Sequence, residues 1–432
     1  FLHEPFPVES SLHKFLDDHI NAEIVGGTIK TKQDAMDYLT WTYFYRRLQQ
    51  NPTYYGLDDM TQKGIDVFLS DMINDVAQRL EEAGCIEIID DFELIPLISA
   101  HIASYYYLHP KTVHHFRRSI HRDSAIDDVL DVLGNVPEYE ELPARCQEDV
   151  LNAEIEKFIP YEVKGTPNFI SPHVKAYVLV QAHVSRLELP SSDYITDQIT
   201  VLDSAIRFCQ AMIDVAADNG YLKTSLTIMQ LLQCVKQARW PNESPILTLP
   251  YIEKQMLSQI RHKGKPVKSL TELIKLSHTQ IFSNIKDLDE EKREEIRQVL
   301  NRMPLIHLKA EIESKKPYLI PESTYKISIQ LNRITKKHYQ HNGRVHAPFF
   351  PKPQYESWWI VLGDTANDEL LALKRVSMRN GPNETLVNRT HTSVTFETPA
   401  HFGKHQYTLY LISDGYLGLD QQIEIPFETR MD

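Results

Sequence analysis

The sequence predicts a mainly α, multidomain chain that ends in an all-β sandwich. Three observations carry that class. Apolar residues recur at helical spacing through most of the chain up to Met303; a small hairpin, CIEII and FELIP around Asp90-Asp91, interrupts them; and after Pro304 the pattern changes to strict alternation. With 432 residues the chain has room for roughly two to four domains, each with its own core.

In order, Phe1–Val8 is a Pro-punctuated lead-in. Ser10–Ala22 and Thr31–Gln50 read as helices, the second aromatic on its inner face through Tyr38, Trp41 and Tyr45 and broken at Asn51-Pro52. Gln62–Ala83 is amphipathic and stops at Gly84. Helices followed by a hairpin suggest a winged helix; the alternative is a small α+β subdomain that touches no nucleic acid. Helices follow at Ser99–Leu108, Lys111–His121, Ala125–Gly134, Cys146–Phe158, Ser171–Leu189, Ile199–Asn219 and Lys223–Arg239, with Ser171-Pro172 as an N-cap and N1 pair. Leu249–Met303 is helical with a break at RHKGKPVKS, a helix-hairpin-helix pattern. The strands IHLKAEIE, YKISIQL, WWIVL, LLALKRV, TSVTFET, YTLYLIS and QIEIPF then predict a sandwich of immunoglobulin or fibronectin-III type, with Trp358-Trp359 seeding its core. The expected domains are 1–97 (linker and winged helix), 98–245 (helical bundle), 246–304 (helix-hairpin-helix-like unit) and 305–432 (immunoglobulin-like sandwich).

Net charge is −13, which argues against a general nucleic-acid coat. The charge is uneven: Asp123–Lys157 holds eleven Asp/Glu against two Lys/Arg, whereas Tyr251–Lys275 holds six Lys/Arg against two Glu. The four cysteines are scattered without a C-x-x-C pair and read as reduced thiols. Sequons at Asn242, Asn383 and Asn388 read as chance without a signal peptide, and no apolar run reaches membrane-spanning length. The start at Phe1, without Met, reads as a piece of something longer.

The most informative stretch is Ile199–Gly220. On a wheel of about 100° per residue, Leu202, Ala205, Ile206, Cys209, Met212, Ile213 and Ala216 gather on one side, widened by Phe208 and Val215. A narrow stripe remains: Ser204, Arg207, Ala211, Asp214 and Asp218. Arg207 either pairs with Asp203 or Asp214 on a solvated face, or lines a channel with Ser204 and Ala211 and meets a phosphate or base. In the Gly-centred hairpin, Lys263, Gly264, Lys265 and Lys268 are candidates to contact phosphates without reading sequence; the alternative is a plain solvated turn. The basic run Val113–Arg122 is a solvated face or a phosphate-tracking one.

Chemistry is mostly missing. There is no G-x-x-x-x-G-K-[ST] loop and no G-x-S-x-G elbow, and Asp289-Glu290-Glu291-Lys292 reads as a helical charge run rather than a helicase acidic box. His401 and His405 have ligand-like spacing without a third ligand, so no metal site is expected.

SSLHKFLDDHINAEIVGGTI, DAMDYLTWTYFYRRLQQNPTYYG and IASYYYLH resemble the stretch after the second RecA-like domain of large superfamily-2 nucleic-acid helicases. PEYEELPARCQED (Pro137–Asp149), SPHVKAYVLVQAHVSRLELP, and FFPKPQYESWWIVLGD through LYLISDGYLGLDQQ resemble their Sec-63-type homology region, so the resemblance covers nearly the whole chain. DVAADNGYL, LTLPYIE and LGLDQQ favour the branch that serves the activating signal cointegrator 1 and ribosome quality-control trigger complexes over the related spliceosomal branch. The final strand followed by only Glu428–Asp432 fits a C-terminal copy of the two cassettes such helicases carry.

The resemblance implies a winged helix, a bundle, a helix-loop-helix and an immunoglobulin-like sandwich. It also makes Ile199–Gly220 the ratchet helix beneath the RecA-like motor, where the family places a Ser and, three residues later, an Arg toward the strand; Ser204 and Arg207 match. The aromatic stacking position of some archaeal relatives is not matched. No motor motif lies in this sequence, so no ATPase, catalytic residue or cofactor is expected of this chain; ATP and Mg belong to motor domains outside it. The implied partners are single-stranded RNA or DNA, the chain's own RecA-like motor domains, other subunits of the helicase complex and the ribosome, in cytoplasm or nucleus and away from membranes. The alternative is a protein-interaction scaffold without nucleic-acid contact. A translocation factor sharing the homology name would carry transmembrane spans and a His-Pro-Asp J-domain; this chain has only His109-Pro110-Lys111.

Overall fold

The computed structural model describes residues 8–282, 285, 288–334, 343–380 and 385–431. The lead-in before Val8 and the sequon at Asn383 lie outside them. Two compact units are present: one runs to Ile120 and takes in Val136–Glu141, the other holds His121–Asn135 and the chain from Leu142 on.

The first unit contains α1 (Leu16–Gly26), α2 (Lys32–Thr40), α3 (Tyr43–Gln50), α4 (Gln62–Glu82), the hairpin β1 (Ile86–Ile89) and β2 (Glu93–Pro96), α5 (Ile98–Tyr106) and α6 (Pro110–Ser119). Leu16, Ile20 and Ile24 of α1 pack with Leu69 and Ile73 of α4 and with Ile86 and Leu94 of the hairpin. This is the winged-helix arrangement. The single helix expected over Thr31–Gln50 is two. Thr42 ends α2 by donating to the Leu39 carbonyl (2.6 Å) and begins α3 by accepting from the Tyr45 amide. That break turns Trp41 outward, to 90% exposure, and the inner aromatic face is the buried Phe44 with Tyr38 and Tyr45 packed beside it. At the unit's entry Glu9 accepts hydrogen bonds from Arg47, Asn51 and Tyr55, and the Arg47 bond is the main cause holding its carboxyl down at about 2.

In the second unit come α7 (Ile126–Gly134), α8 (Glu148–Glu156), α9 (Pro172–Val184), α10 (Ser192–Asp218) and α11 (Leu222–Gln237). They are followed by β3 (Arg261–His262), β4 (Lys265–Pro266), α12 (Leu270–Lys275), α13 (His278–Phe282) and α14 (Glu290–Arg302). Ahead of the β3–β4 hairpin the helix expected from Leu249 is reduced to a 3₁₀ turn at Lys254–Met256; Pro250 removes a backbone donor there. Asp289 caps α14 through the Lys292 amide (2.9 Å), so the Asp-Glu-Glu-Lys run is a helix start.

All seven predicted strands form: β5 (Ile306–Ile312), β6 (Thr324–Arg333), β7 (Trp358–Asp364), β8 (Glu369–Val376), then, after the short pair β9 (Arg379–Asn380) and β10 (Thr385–Leu386), β11 (Arg389–Glu397), β12 (Gly403–Ser413) and β13 (Gln421–Thr429). One antiparallel sheet has the order β11-β6-β5, the other β13-β12-β7-β8. Ile327, Ile329 and Leu331 of β6 share a core with Trp358, Ile360 and Leu362 of β7 and Leu409 and Leu411 of β12.

Alternation predicts one inward tryptophan; both are buried, Trp358 at 1% and Trp359 at 0%. Every residue of β7 from Trp358 to Gly363 is buried because helix covers the outer face of its sheet. A Cβ on Gly363 would lie 2.6 Å from the methyl carbons of Leu222 in α11, so a side chain here would force the Leu222 side chain to move. Trp358→Ala is expected to cost about 3–5 kcal/mol of folding stability, the range for a buried large aromatic. The measurement is the denaturant midpoint at unchanged slope; an unshifted midpoint contradicts the packing described.

Candidate nucleic-acid interface

α10 starts seven residues before the predicted Ile199, at Ser192, because Ser191 accepts a bond from the Tyr194 amide and caps it. Its buried side is the predicted one except at Ile206, which is half-buried: Leu202, Ala205, Cys209, Met212, Ile213 and Ala216 are buried, widened by Phe208 and Val215. On the opposite stripe Ser204, Arg207 and Asp214 are half-buried and Asp218 is exposed. Ala211 is a correction: it is fully buried (0%), since a methyl projects too little to clear the longer side chains a turn away on either side. The Arg207 guanidinium lies 5.1 Å from the Phe208 ring centroid. Asp203, one of its two candidate partners, is engaged elsewhere, 2.7 Å from Lys352 Nζ.

A buried charge cluster fixes where α10 begins. Lys175 of α9, 1% exposed, donates to the Pro143 carbonyl (2.8 Å), Glu148 of α8 (2.7 Å) and Asp197 of α10 (2.7 Å). Arg145 bonds the same two carboxylates, at 3.0 and 2.5 Å, and the Tyr194 ring lies 4.9 Å from the Lys175 ammonium. Burial pushes both carboxyls up, but the Lys175 and Arg145 bonds outweigh it and hold both below the usual carboxylate range.

The other end of α10 is tied to the sandwich. The Gly220 carbonyl accepts from the Leu370 amide of β8 (2.9 Å), and Asp368, preceding β8, accepts from the Lys223 amide (2.8 Å) in the first turn of α11. Arg122 of the basic run donates to the Asn367 and Asp368 carbonyls (2.9 and 3.1 Å) and lies over the Tyr221 ring. In the first unit Arg117 donates to Ser99 (3.0 Å).

In the β3–β4 hairpin Lys263 and Gly264 are the two turn residues, with φ of 49° and 78°. Two successive positive φ values make the tight hairpin turn that asks for glycine. Lys263, Lys265 and Lys268 are exposed and have no ion-pair partner among the described residues. The structure thus brings Ser204 and Arg207 together on α10 and the three lysines together around Gly264. It does not join the two groups: α10 packs on α9 and α11, the hairpin against α13. The sequence reading missed the carboxylate tie at Asp197 and the Lys352–Asp203 link; both join residues far apart in the chain.

His405 is structural. Its Nε2 lies 2.9 Å from Thr429 Oγ1 and 3.2 Å from the His401 carbonyl, and its ring stacks on Phe427. Among the described residues no three ligand-type side chains gather to hold a metal, and no helix is long and apolar enough to cross a membrane.

Residues 96–426 match the model of the Sec63 Brl domain, and residues 9–90 that of a winged helix-turn-helix domain of the SNRNP200 type. The chain belongs to the Sec63 Brl-domain family. It is 41% identical to activating signal cointegrator 1 complex subunit 3 of Mus musculus and 40% to that of Homo sapiens, in each case over 98% of this chain and 21% of the relative. The U5 small nuclear ribonucleoprotein 200 kDa helicase of Homo sapiens is 35% identical over 100% of this chain and 19% of its own length. The chain therefore spans about a fifth of the length of the relatives it matches, and what it spans is the winged-helix and Sec63 Brl region, a non-motor portion.

Lys175→Met leaves Glu148 and Asp197 buried with Arg145 as their remaining cation. It is expected to cost about 3–5 kcal/mol at pH 7, as for breaking a buried pair. Both carboxyls are depressed in the folded protein, so their stabilisation is present above the unfolded carboxylate range and is lost as pH falls through their folded values. The deficit of the variant should therefore shrink as pH falls below about 4; thermal melts of both proteins from neutral pH down through that range check it, and a pH-independent deficit contradicts the charge account.

Proposed function

We propose that this chain is the strand-guiding, non-motor module of an ATP-dependent RNA or DNA helicase of 3'-5' type. In this reading α10 is the ratchet helix, along which a single strand moves while RecA-like motor domains outside this chain hydrolyse ATP with Mg. The observation that carries it is the Ser204–Arg207 pair, one polar turn on a helix whose other faces are mostly buried and whose two ends are tied to separate parts of the unit. A fixed guanidinium beside a small hydroxyl suits a phosphate backbone, which offers charge without sequence. The lysines around Gly264 add a second, sequence-independent contact. By its likeness to proteins named for the activating signal cointegrator 1 complex and the U5 small nuclear ribonucleoprotein, the chain works beside other subunits of a large assembly. Transcription coactivation, alkylation repair or ribosome-associated quality control, with the ribosome as a partner, is its setting in nucleus or cytoplasm.

A second reading, an immunoglobulin-like sandwich and winged helix that dock proteins, draws on the wing itself. Its outer face carries Ile89 and Ile95 exposed beside Glu87, Asp90, Asp91 and Glu93, an acidic and apolar surface unsuited to phosphates. Both readings can hold, on different faces.

Arg207→Leu separates them. A charge-assisted bond to phosphate contributes about 1.5–3 kcal/mol, so in the helicase that carries this region unwinding should slow roughly ten-fold or more while ATP hydrolysis changes much less. The melting temperature should stay within a degree or two of wild type. Ser204→Leu should act in the same direction. A lowered melting temperature with normal unwinding per folded molecule defeats the ratchet assignment. The chain by itself should hydrolyse no ATP above background, with or without nucleic acid; stimulated turnover by the purified chain contradicts this.

A further inference from the structure

A cleft of about 530 Å³ lies where the segment Arg344–Gln354 folds against the end of α14. Among the described residues its lining includes Arg302, Arg344, His346, Phe350, Lys352 and Gln354, and no aspartate or glutamate. In a chain of net charge −13 that is a local reversal of sign. Arg302 and Arg344 are exposed, and Arg302 has no ion-pair or hydrogen-bond partner among the described residues. The segment is anchored from behind: Phe350 is buried with its ring edge-on to His183 of α9 (6.0 Å), and the His346 amide donates to Tyr416 Oη (2.8 Å). Phe349, between two lining residues, is 53% exposed. The cleft is linked to α10, because Lys352, which lines it, pairs with Asp203, the residue before Ser204.

We propose that this cleft is a second single-strand contact, which takes about one nucleotide of the strand that runs along Ser204 and Arg207. The volume fits a nucleotide-sized ligand. Arg302 and Arg344 hold the phosphate, and Phe349, exposed beside the cleft rather than in its lining, offers a stacking face to the neighbouring base, the pairing of cations with aromatics that binds single strands without reading sequence. The anchored backbone means that little ordering is needed on binding. An acidic polypeptide would satisfy the arginines but not the exposed ring, and nothing joins it to the α10 stripe. This proposal rests on the strand-guiding reading for the path of the strand, not for the chemistry of the cleft.

The test is equilibrium binding of labelled uridine oligonucleotides of about 5 and about 15 residues to the 432-residue chain at low salt. The proteins are wild type, Arg302→Glu, Arg302→Gln and Arg207→Leu. The long strand should bind wild type more tightly than its length alone explains. Arg302→Glu should weaken long-strand binding about ten-fold, lower the slope of log affinity against log salt by about one, and leave the short strand nearly unchanged. Arg302→Gln should give a smaller loss in the same direction, and it decides the matter if the charge reversal melts early. Unchanged long-strand affinity and slope in both Arg302 variants overturn the proposal. So does absence of long-strand binding by wild type, or displacement of the long strand by polyglutamate at matched charge. Loss in Arg302→Glu with none in Arg207→Leu keeps the cleft and removes the α10 stripe from the path; the reverse removes the cleft alone.

Discussion

The second unit depends on one buried ammonium. Lys175 sits on α9 where solvent does not reach, and its three acceptors come from three other places: the Pro143 carbonyl in the approach to α8, Glu148 in α8 and Asp197 in α10. An isolated buried ammonium is costly in desolvation, and a buried pair alone often does no better than apolar packing. Here the geometry is saturated: three acceptors near 2.7 Å take up its donors, Arg145 supplies a second cation to both carboxylates, and Tyr194 covers the remaining side. Such a cluster tolerates one arrangement of its helices, because any slip leaves a charge unpaired. Its effect is to fix the register of α10, and hence the face that carries Ser204 and Arg207.

The sandwich fixes the other end of that helix by different means. Tyr221 pairs with Glu369 in one antiparallel bridge at the start of β8, and Asp368 acts as the missing cap of α11, whose own N-cap Tyr221 supplies no side-chain bond. Further along α11, Gln233 donates to the Ser413 carbonyl, Gln237 to the Gly415 carbonyl, and Lys236 pairs with Asp414 at 3.1 Å with both side chains buried. A helix that turns Gln233, Lys236 and Gln237 onto strand-end loops cannot rotate without breaking several bonds at once. The sandwich is therefore part of the scaffold of α10, which explains why β7 is buried on both faces.

Much of this was legible in sequence because periodicity reports burial. The inner side of α10, the seven strands and the wing hairpin follow from spacing alone. What was not legible has a common physical cause. Trp41 is apolar and at helical spacing, yet Thr42 ends the helix one residue later and turns it to solvent. Ala211 reads as part of a polar stripe, yet a methyl contributes no reach. Trp359 should alternate outward, yet a helix distant in sequence covers it. Each miss is a tertiary contact or a local cap overriding a pattern that only knows about neighbours. The Lys175 cluster escapes for the same reason: Pro143, Glu148, Lys175 and Asp197 span more than fifty residues, and nothing in their spacing announces that they meet.

Net charge misleads in the same way. The acidic stretch Asp123–Lys157 supplies most of an apparent repulsion to nucleic acid, but many of its carboxylates face inward or are neutralised. Glu138 accepts from the His109 amide and from Thr112, Asp128 holds Lys164 and caps α7 through the Ala125 amide, Glu148 holds Lys175, and Glu156 accepts from the Val163 amide. The cations of the hairpin, by contrast, are left to solvent, at Lys263, Lys265 and Lys268. At physiological salt a charge is felt over about 8 Å, so a strand near the hairpin meets its local lysines, not the sum over the chain. An acidic protein can thus present basic contacts provided its acids are consumed by its own fold, and it gains from doing so: phosphate contacts stay confined to a few sites, and the rest of the surface keeps a highly charged polymer from adhering elsewhere.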